Sequence, residues 1–199
     1  MSIELWAARL DRTLTEPETA AMLALLPSAR RERLLRIRQP EKRREPLCAY
    51  FILRRALLEQ YRWQEIPPMA LAERGKPYFP DHPGVHFSLS HTSGAVLVGL
   101  SGQPLGVDIE RVRPVRAQAM RRLAGGAAEQ DFFQRWVRWE ALGKCRGAGV
   151  APLLASDAPL RQEERFYALD TFPGYAAGAA AHGSEPLGVL RRYPMSELL

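Results

Sequence analysis

Between Val85 and Glu110 the chain makes three short runs broken by turn residues, and the first alternates apolar and polar residues with a period of two that suits an extended strand. Val85, Phe87 and Leu89 share the core side of the first run, which ends in the small polar residues Thr92-Ser93-Gly94. Ala95 to Ser101 is a second, almost wholly apolar run, and Gly102-Gln103-Pro104 turns the chain into a third, Leu105-Gly106-Val107-Asp108-Ile109-Glu110. The spacing predicts an antiparallel meander of three strands with His91 at one turn. In the third strand Asp108 and Glu110 point together while Val107 and Ile109 point back, which places the two carboxylate Cα atoms roughly 6 to 7 Å apart. Both can then reach one hard cation. Asp and Glu supply oxygen ligands and no His–Cys cluster lies nearby, so Mg²⁺ suits the pair better than a transition metal. A polar edge strand that solvates its outer face also accounts for the hexapeptide. For His91 the plainer reading is a surface residue or cap. Ser90 beside it is no hydrolase pair, since adjacent residues on a strand diverge and no nucleophile elbow is present.

A second pattern lies downstream, where Phe133, Val137 and Ala141 recur at helical spacing with Phe132 and Trp136 beside them. Glu140 and Lys144 fall one turn apart on this helix, a spacing that an ordinary surface ion pair also explains. The helix runs into Cys145-Arg146-Gly147-Ala148-Gly149, a glycine-containing stop. Elsewhere the pattern predicts a strand at 2–10, helices near 17–26 and 29–38, and a helix at 47–62 with Leu47, Phe51, Leu58 and Tyr61 in its stripe. Helices at about 115–123 and 127–146 follow, then strands near 165–171, 175–182 and 187–193. No repeat or low-complexity linker divides the chain.

At 199 residues and 46% hydrophobic, the chain can bury a real core, as one large domain or two small ones. No run of 18 apolar residues exists, and Met1 to Trp6 has neither the basic start nor the apolar segment of a signal peptide, so a cytoplasmic location is expected. Cys48 and Cys145 make no disulfide framework and no metal-ligand spacing. The net charge of +6 is concentrated, for Arg30 to Arg62 holds 11 basic residues against four acidic ones. Such a segment fits nucleic acid, an anionic membrane, an acidic protein or a polyphosphate ligand, or is simply a solvated helical face. The basic run lacks interleaved aromatics and no nucleic-acid-binding signature appears, which argues against nucleic acid.

Taken together these runs resemble the surfactin-type 4'-phosphopantetheinyl transferases, which move the phosphopantetheine arm of coenzyme A onto a serine of a carrier protein. The matching signatures are Phe87-Ser88-Leu89-Ser90-His91-Thr92, Leu105 to Glu110, and Trp136 to Gly147, where the family pattern is Trp-x-x-Lys-Glu-Ala-x-x-Lys-x-x-Gly. Gly75-Lys76-Pro77-Tyr78-Phe79-Pro80 and Gly174 to Ala180, which looks like the family's closing strand, extend the match over nearly the whole chain. The resemblance implies an α+β fold of two similar lobes, 1–104 and 105–199, related by a pseudo-twofold. Each lobe would be a long helix packed on a small antiparallel sheet, with the active site in the cleft between them. It implies Mg²⁺ held by Asp108, Glu110 and Glu140, with Asp108, Glu140 and Lys144 as the catalytic residues. It implies coenzyme A bound as co-substrate by Lys76, Ser90 and His91, with Arg30 and Arg33 from the basic helix, and release of 3',5'-ADP. The partner is then an acidic apo acyl or peptidyl carrier protein, with no role for nucleic acid or membrane, and the protein is a monomer. Three departures stand out. Trp139 replaces the family's Lys, removing a cation beside the phosphates and substituting an indole. The carrier-docking segment is shortened to roughly Met120 to Gln130, and Pro46 stands where a small hydroxyl residue is common. A relative that binds coenzyme A or a carrier without turnover is the alternative these departures motivate.

Overall fold

The computed structural model describes residues 2–115, 129–154 and 159–197. In chain order the elements are β1 (Ile3–Arg9), α1 (Glu16–Ala24), α2 (Ser28–Leu35), α3 (Arg44–Tyr61), β2 (Ala70–Leu71), β3 (Pro77–Tyr78), β4 (His86–Thr92), β5 (Ala95–Ser101) and β6 (Leu105–Arg111), then α4 (Glu129–Arg146), α5 (Ala151–Leu154), β7 (Glu164–Leu169), β8 (Tyr175–His182) and β9 (Leu187–Pro194). The expected helix at 115–123, beyond its first residue, and Met120 to Ala128 of the shortened segment lie outside the described residues. The fold is α+β. One sheet has the order β4-β5-β1-β9, a second the order β6-β8-β7, and β2-β3 is a separate hairpin.

Alternation forms both sheets, and one long helix covers each. On β1, Trp6 and Ala8 face α3 in one core, while Ile3, Leu5 and Ala7 face β6 and β8 in another. The helix α3 packs on β1, β4 and β5, and α4 packs on β6 and β8. The buried side of α3 is Leu47, Cys48, Ile52, Leu53, Ala56 and Leu57, with Phe51 and Tyr61 only partly covered. The stripe expected from Leu47, Phe51, Leu58 and Tyr61 is therefore rotated on the helix, because apolar residues nearly encircle this segment and periodicity alone leaves the buried face open. The helix also starts earlier than expected, at Arg44, with Pro46 tolerated in its first turn.

Two strands sit differently from the sequence expectation. The meander 85–110 breaks after its first hairpin, since β4 pairs antiparallel with β5 but β6 pairs with β8 in the other sheet. The segment that was to close the fold, Gly174 to Ala180, is instead the central strand β8. Closure falls to β9, which returns to the first sheet and pairs parallel with β1, so that sheet is mixed rather than antiparallel and residues 187–194 do not group with the rest of 105–199. A carboxylate network holds β9 there. Glu59 accepts from Trp6 Nε1 at 2.8 Å, Arg55 Nε at 2.9 Å and the Tyr193 hydroxyl at 3.2 Å.

Both cysteines are buried, and burial pushes the Cys48 thiol up to about 12 and Cys145 up to about 11. The thiolate is the reactive form, so neither group is expected to react with a disulfide reagent at pH 8 in the native protein. A thiol titration should find no reactive cysteine until denaturant is added and two thereafter.

Candidate active site

The two sheets meet along β4 and β6 with no backbone ladder between them. Alternate hydroxyls of β4 fill the gap. Ser88 Oγ accepts from Val107 N–H at 3.0 Å, Ser90 Oγ from Ile109 N–H at 3.3 Å, and Thr92 Oγ1 from Arg111 N–H at 3.4 Å. The constant offset of 19 residues means β6 runs parallel to β4 and presents it an edge whose donors would otherwise be orphaned. The same hydroxyls then donate onward: Ser90 to Asp108 Oδ1 at 2.6 Å and Thr92 to Glu110 Oε2 at 3.2 Å. A Ser-x-Ser-x-Thr face thus joins the sheets and orients both carboxylates. Ser88 and Thr92 were not singled out from the sequence, although the alternation of hydroxyls opposite Phe87 and Leu89 carried the signal.

The helix α4 brings the third and fourth groups. Lys144 Nζ donates to Asp108 Oδ1 at 2.7 Å and to the Val107 carbonyl at 3.1 Å. Asp108 is 4% exposed, and its Oδ2 is buried without a hydrogen-bond partner among the described residues. Glu140, one turn back from Lys144, is pushed above the usual carboxylate range by burial, with Asp108 and Glu110 adding repulsion against the pull of Lys144. The three carboxylates therefore feel one another but are not drawn round one point, and among the described residues no group of three or more His, Cys, Asp or Glu side chains is set to hold a metal ion. By chemistry the donors suit Mg²⁺: all are hard oxygens, and one is buried and unsatisfied. Arg113 Nη1 reaches Glu110 Oε2 at 3.3 Å from the exposed side while its guanidinium lies 5.1 Å from the Phe133 ring centre.

Beside these carboxylates lies a basic cavity of about 640 Å³, lined by Arg30, Arg33, Lys42, Pro46 and His91, with Gly75 and Pro77 forming part of its wall. Arg30 is 6% exposed and lines this cavity, and its guanidinium has no hydrogen bond or ion pair among the described residues, which leaves its donors open to an anion there. His91 is desolvated enough to be held below the usual histidine range, with repulsion from Lys144 adding to the effect. Arg30, Arg33 and His91 are thus brought together. The side chains of the other two expected coenzyme A ligands have different partners. Ser90 is buried on Asp108, and Lys76 Nζ donates to the carbonyls of Leu105 and Lys144.

Trp139 does not stand in this site. It is 3% exposed and packs in a cluster with Leu142, Cys145, Leu153 and Ala180. The expected indole beside the phosphates is corrected accordingly; an apolar side chain at this position turns into the core under β8, where burial rewards it.

With the fold and this geometry in view, the similarity to known proteins is specific. The chain is 27% identical over 177 residues to the 4'-phosphopantetheinyl transferase ffp of Bacillus subtilis, covering 82% of this chain and 79% of that one. It is 26% identical over 175 residues to the 4'-phosphopantetheinyl transferase Sfp of the same species, covering 81% and 78%. It is 30% identical over 139 residues to the 4'-phosphopantetheinyl transferase AcpT of Salmonella typhi, covering 61% of this chain and 68% of AcpT. No family model matches the chain. The chain belongs to the 4'-phosphopantetheinyl transferase family.

Proposed function

We propose that the protein transfers the 4'-phosphopantetheine arm of coenzyme A to a serine of an apo acyl or peptidyl carrier protein in a Mg²⁺-dependent reaction that releases 3',5'-ADP. The observation that carries this reading is Asp108, gripped on one oxygen by Ser90 and Lys144 and, among the described residues, unsatisfied on the other, beside a basic cavity lined by Arg30, which has no partner among them. In this reading Arg30, Arg33 and His91 receive the 3'-phosphate and adjoining anionic groups of coenzyme A. Asp108, Glu110 and Glu140 would hold Mg²⁺, which when bound supplies positive charge to the pyrophosphate as its electrons shift. Lys144 spends two donors on Asp108 and Val107 and turns its third toward a phosphate oxygen. Glu140, raised above an ordinary carboxylate, takes the proton of the carrier serine directly or through a water. The serine oxygen forms its bond to the β-phosphorus, the bond to the bridging oxygen breaks, and 3',5'-ADP leaves with that electron pair.

We also infer that the two halves are related by a pseudo-twofold with the site in the cleft between them. Its support is that α3 covers the first sheet as α4 covers the second, and that Ser90 of one half bonds Asp108 of the other. The reading takes the protein as a cytoplasmic monomer with an acidic partner, drawn by the basic surplus of Arg30 to Arg62. Among the described residues no helix is long and apolar enough to cross a membrane.

The test is to incubate the protein with coenzyme A, Mg²⁺ and a panel of apo carrier proteins and to read intact carrier mass. A gain equal to the phosphopantetheine arm, lost with EDTA, is expected. Asp108→Ala should lose transfer while keeping a cooperative thermal transition, and full activity in that variant would remove the metal from the mechanism. The second reading is coenzyme A or carrier binding without turnover; Trp139 lends it little, since its side chain packs in the core, and calorimetric binding with no mass gain on any carrier would select it.

A further inference from the structure

The turn between β2 and β3 does more than wall the basic cavity. Gly75 and Pro77 line that cavity, but Lys76 between them points away from it, its Nζ 2.7 Å from the Leu105 carbonyl and 2.8 Å from the Lys144 carbonyl. Next to it Arg74 Nη1 bonds the Ala148 carbonyl just beyond α4. The base of the turn is fixed, because Phe79 is 1% exposed and its ring lies 4.5 Å from that of Phe87, tilted by 31°, in the core under α3. Lys76 therefore ties a rigid part of the first half to the start of β6 and the last turn of α4.

That last turn is where a cation of this shape is most useful. The final carbonyls of a helix lack the partners its interior has and carry the negative end of its dipole; among the described residues the Lys144 carbonyl accepts only a long bond from the Gly147 N–H at 3.3 Å besides Lys76, and an ammonium offers three compact donors. The residue whose carbonyl is held is also the one whose side chain grips Asp108, so a shift of the Lys144 backbone carries its ammonium off Asp108 Oδ1. We propose that Lys76 is a positioning residue for the transfer reaction: it acts through Lys144, clamping the end of α4 so that the Lys144 ammonium meets Asp108, and it does not bind the 3'-phosphate. The proposal rests on the transferase reading given above.

Two donors and two backgrounds test it. Steady-state transfer to an apo carrier is measured with coenzyme A and with 3'-dephospho-coenzyme A, for wild type, Lys76→Met, Lys144→Met and the double variant, each checked for a cooperative thermal transition. Misplacing a catalytic group by about an ångström can cost on the order of a hundredfold, so Lys76→Met is expected to lower kcat about tenfold or more. The KM for coenzyme A should stay within about threefold, and both donors should lose by a similar factor, since the missing phosphate is not what Lys76 touches. In the Lys144→Met background Lys76→Met should cost less than about twofold more, the non-additivity of groups acting as one unit. A raised KM with loss of discrimination between the two donors would overturn the proposal in favour of a phosphate ligand. Losses that multiply in the double variant would overturn the route through Lys144. If Lys76→Met does not fold, Lys76→Gln, which keeps one donor, takes its place in the same comparison. A wild type that transfers from neither donor strikes at the transferase reading itself, an outcome distinct from an active wild type whose variants misbehave.

Discussion

Gly106→Ala is expected to destabilise the protein by about 3 kcal/mol, the upper end of the usual range for overpacking, and to take transfer activity with it. A Cβ on Gly106 would stand 2.0 Å from the Ala141 carbonyl oxygen, 2.5 Å from the Cys145 backbone nitrogen and 2.9 Å from the Lys144 Cβ. Two of these are helix backbone, which cannot rotate aside as a side chain can. Relief must come from moving α4 off β6, and α4 carries Glu140 and Lys144 while β6 carries Asp108 and Glu110. Stability and activity should therefore fall together. Gly84→Ala is the control, because nothing among the described residues lies within 4 Å of the added carbon, and it should be silent in both assays. Urea denaturation of the two variants checks the difference. A Gly106→Ala protein with unchanged midpoint and activity would mean that the close approach of α4 to β6 is not what sets the site.

The same glycine shows what the sequence could and could not yield. The strand Leu105 to Glu110 is readable from alternation, and so is the common face of Asp108 and Glu110, because a period of two needs no tertiary information. Helix α4 is readable for the same reason at a period of 3.6, and β8 was expected at 175–182 and is found there. Sheet membership is not readable this way. The meander does not form because β1 takes the edge of β5 that β6 would need and β6 pairs with β8, while the N–H groups on the free edge of β6 (Val107, Ile109 and Arg111) find hydroxyls on β4; a pattern of apolar residues carries none of this. The pairing of β9 with β1, where the sequence reading groups 187–193 with the rest of 105–199, is unreadable for a similar reason, since its place depends on Glu59, Arg55 and Trp6, which are far off in sequence. Within the site, the carboxylates and Lys144 came from motifs, whereas the engagement of Lys76 with two carbonyls is a matter of three-dimensional reach. Trp139 illustrates the opposite case: the substitution was visible, but only packing shows that the indole faces the core.

Breaking the Arg146–Glu164 pair should cost about 3–5 kcal/mol, the range for removing one partner of a buried ion pair and leaving the other uncompensated. Both side chains are nearly inaccessible, at 6% and 3% exposure. The contact is bidentate, Nε to Oε1 at 2.8 Å and Nη2 to Oε2 at 2.6 Å, and Glu164 Oε2 also accepts from the Arg161 N–H at 2.7 Å while Arg146 Nη2 reaches the Pro159 carbonyl at 2.8 Å. The pair thus fastens the end of α4 to the start of β7, next to Glu163 in a left-handed conformation at φ +65° that a non-glycine residue adopts only when its surroundings hold it. Glu164→Gln and Arg146→Met should each lower the denaturation midpoint strongly, whereas the double change Arg146→Met with Glu164→Leu should recover much of the loss, because two apolar side chains leave no buried charge unpaired. The pair also fixes a pH dependence. The hydrogen bonds from Arg146 hold Glu164 below the ordinary carboxylate value of 4.5, so the folded state binds that proton less readily than the unfolded state. Its stabilisation is then fully present above the unfolded value and is lost as pH falls through 4.5 toward the folded one. In Glu164→Gln that part of the acid sensitivity should vanish, leaving a shallower fall in stability on acidification than the wild type shows. An acid profile unchanged by the substitution would mean that Glu164 takes up its proton equally readily in the folded and unfolded states, and that Arg146 does not hold this carboxylate below its ordinary value.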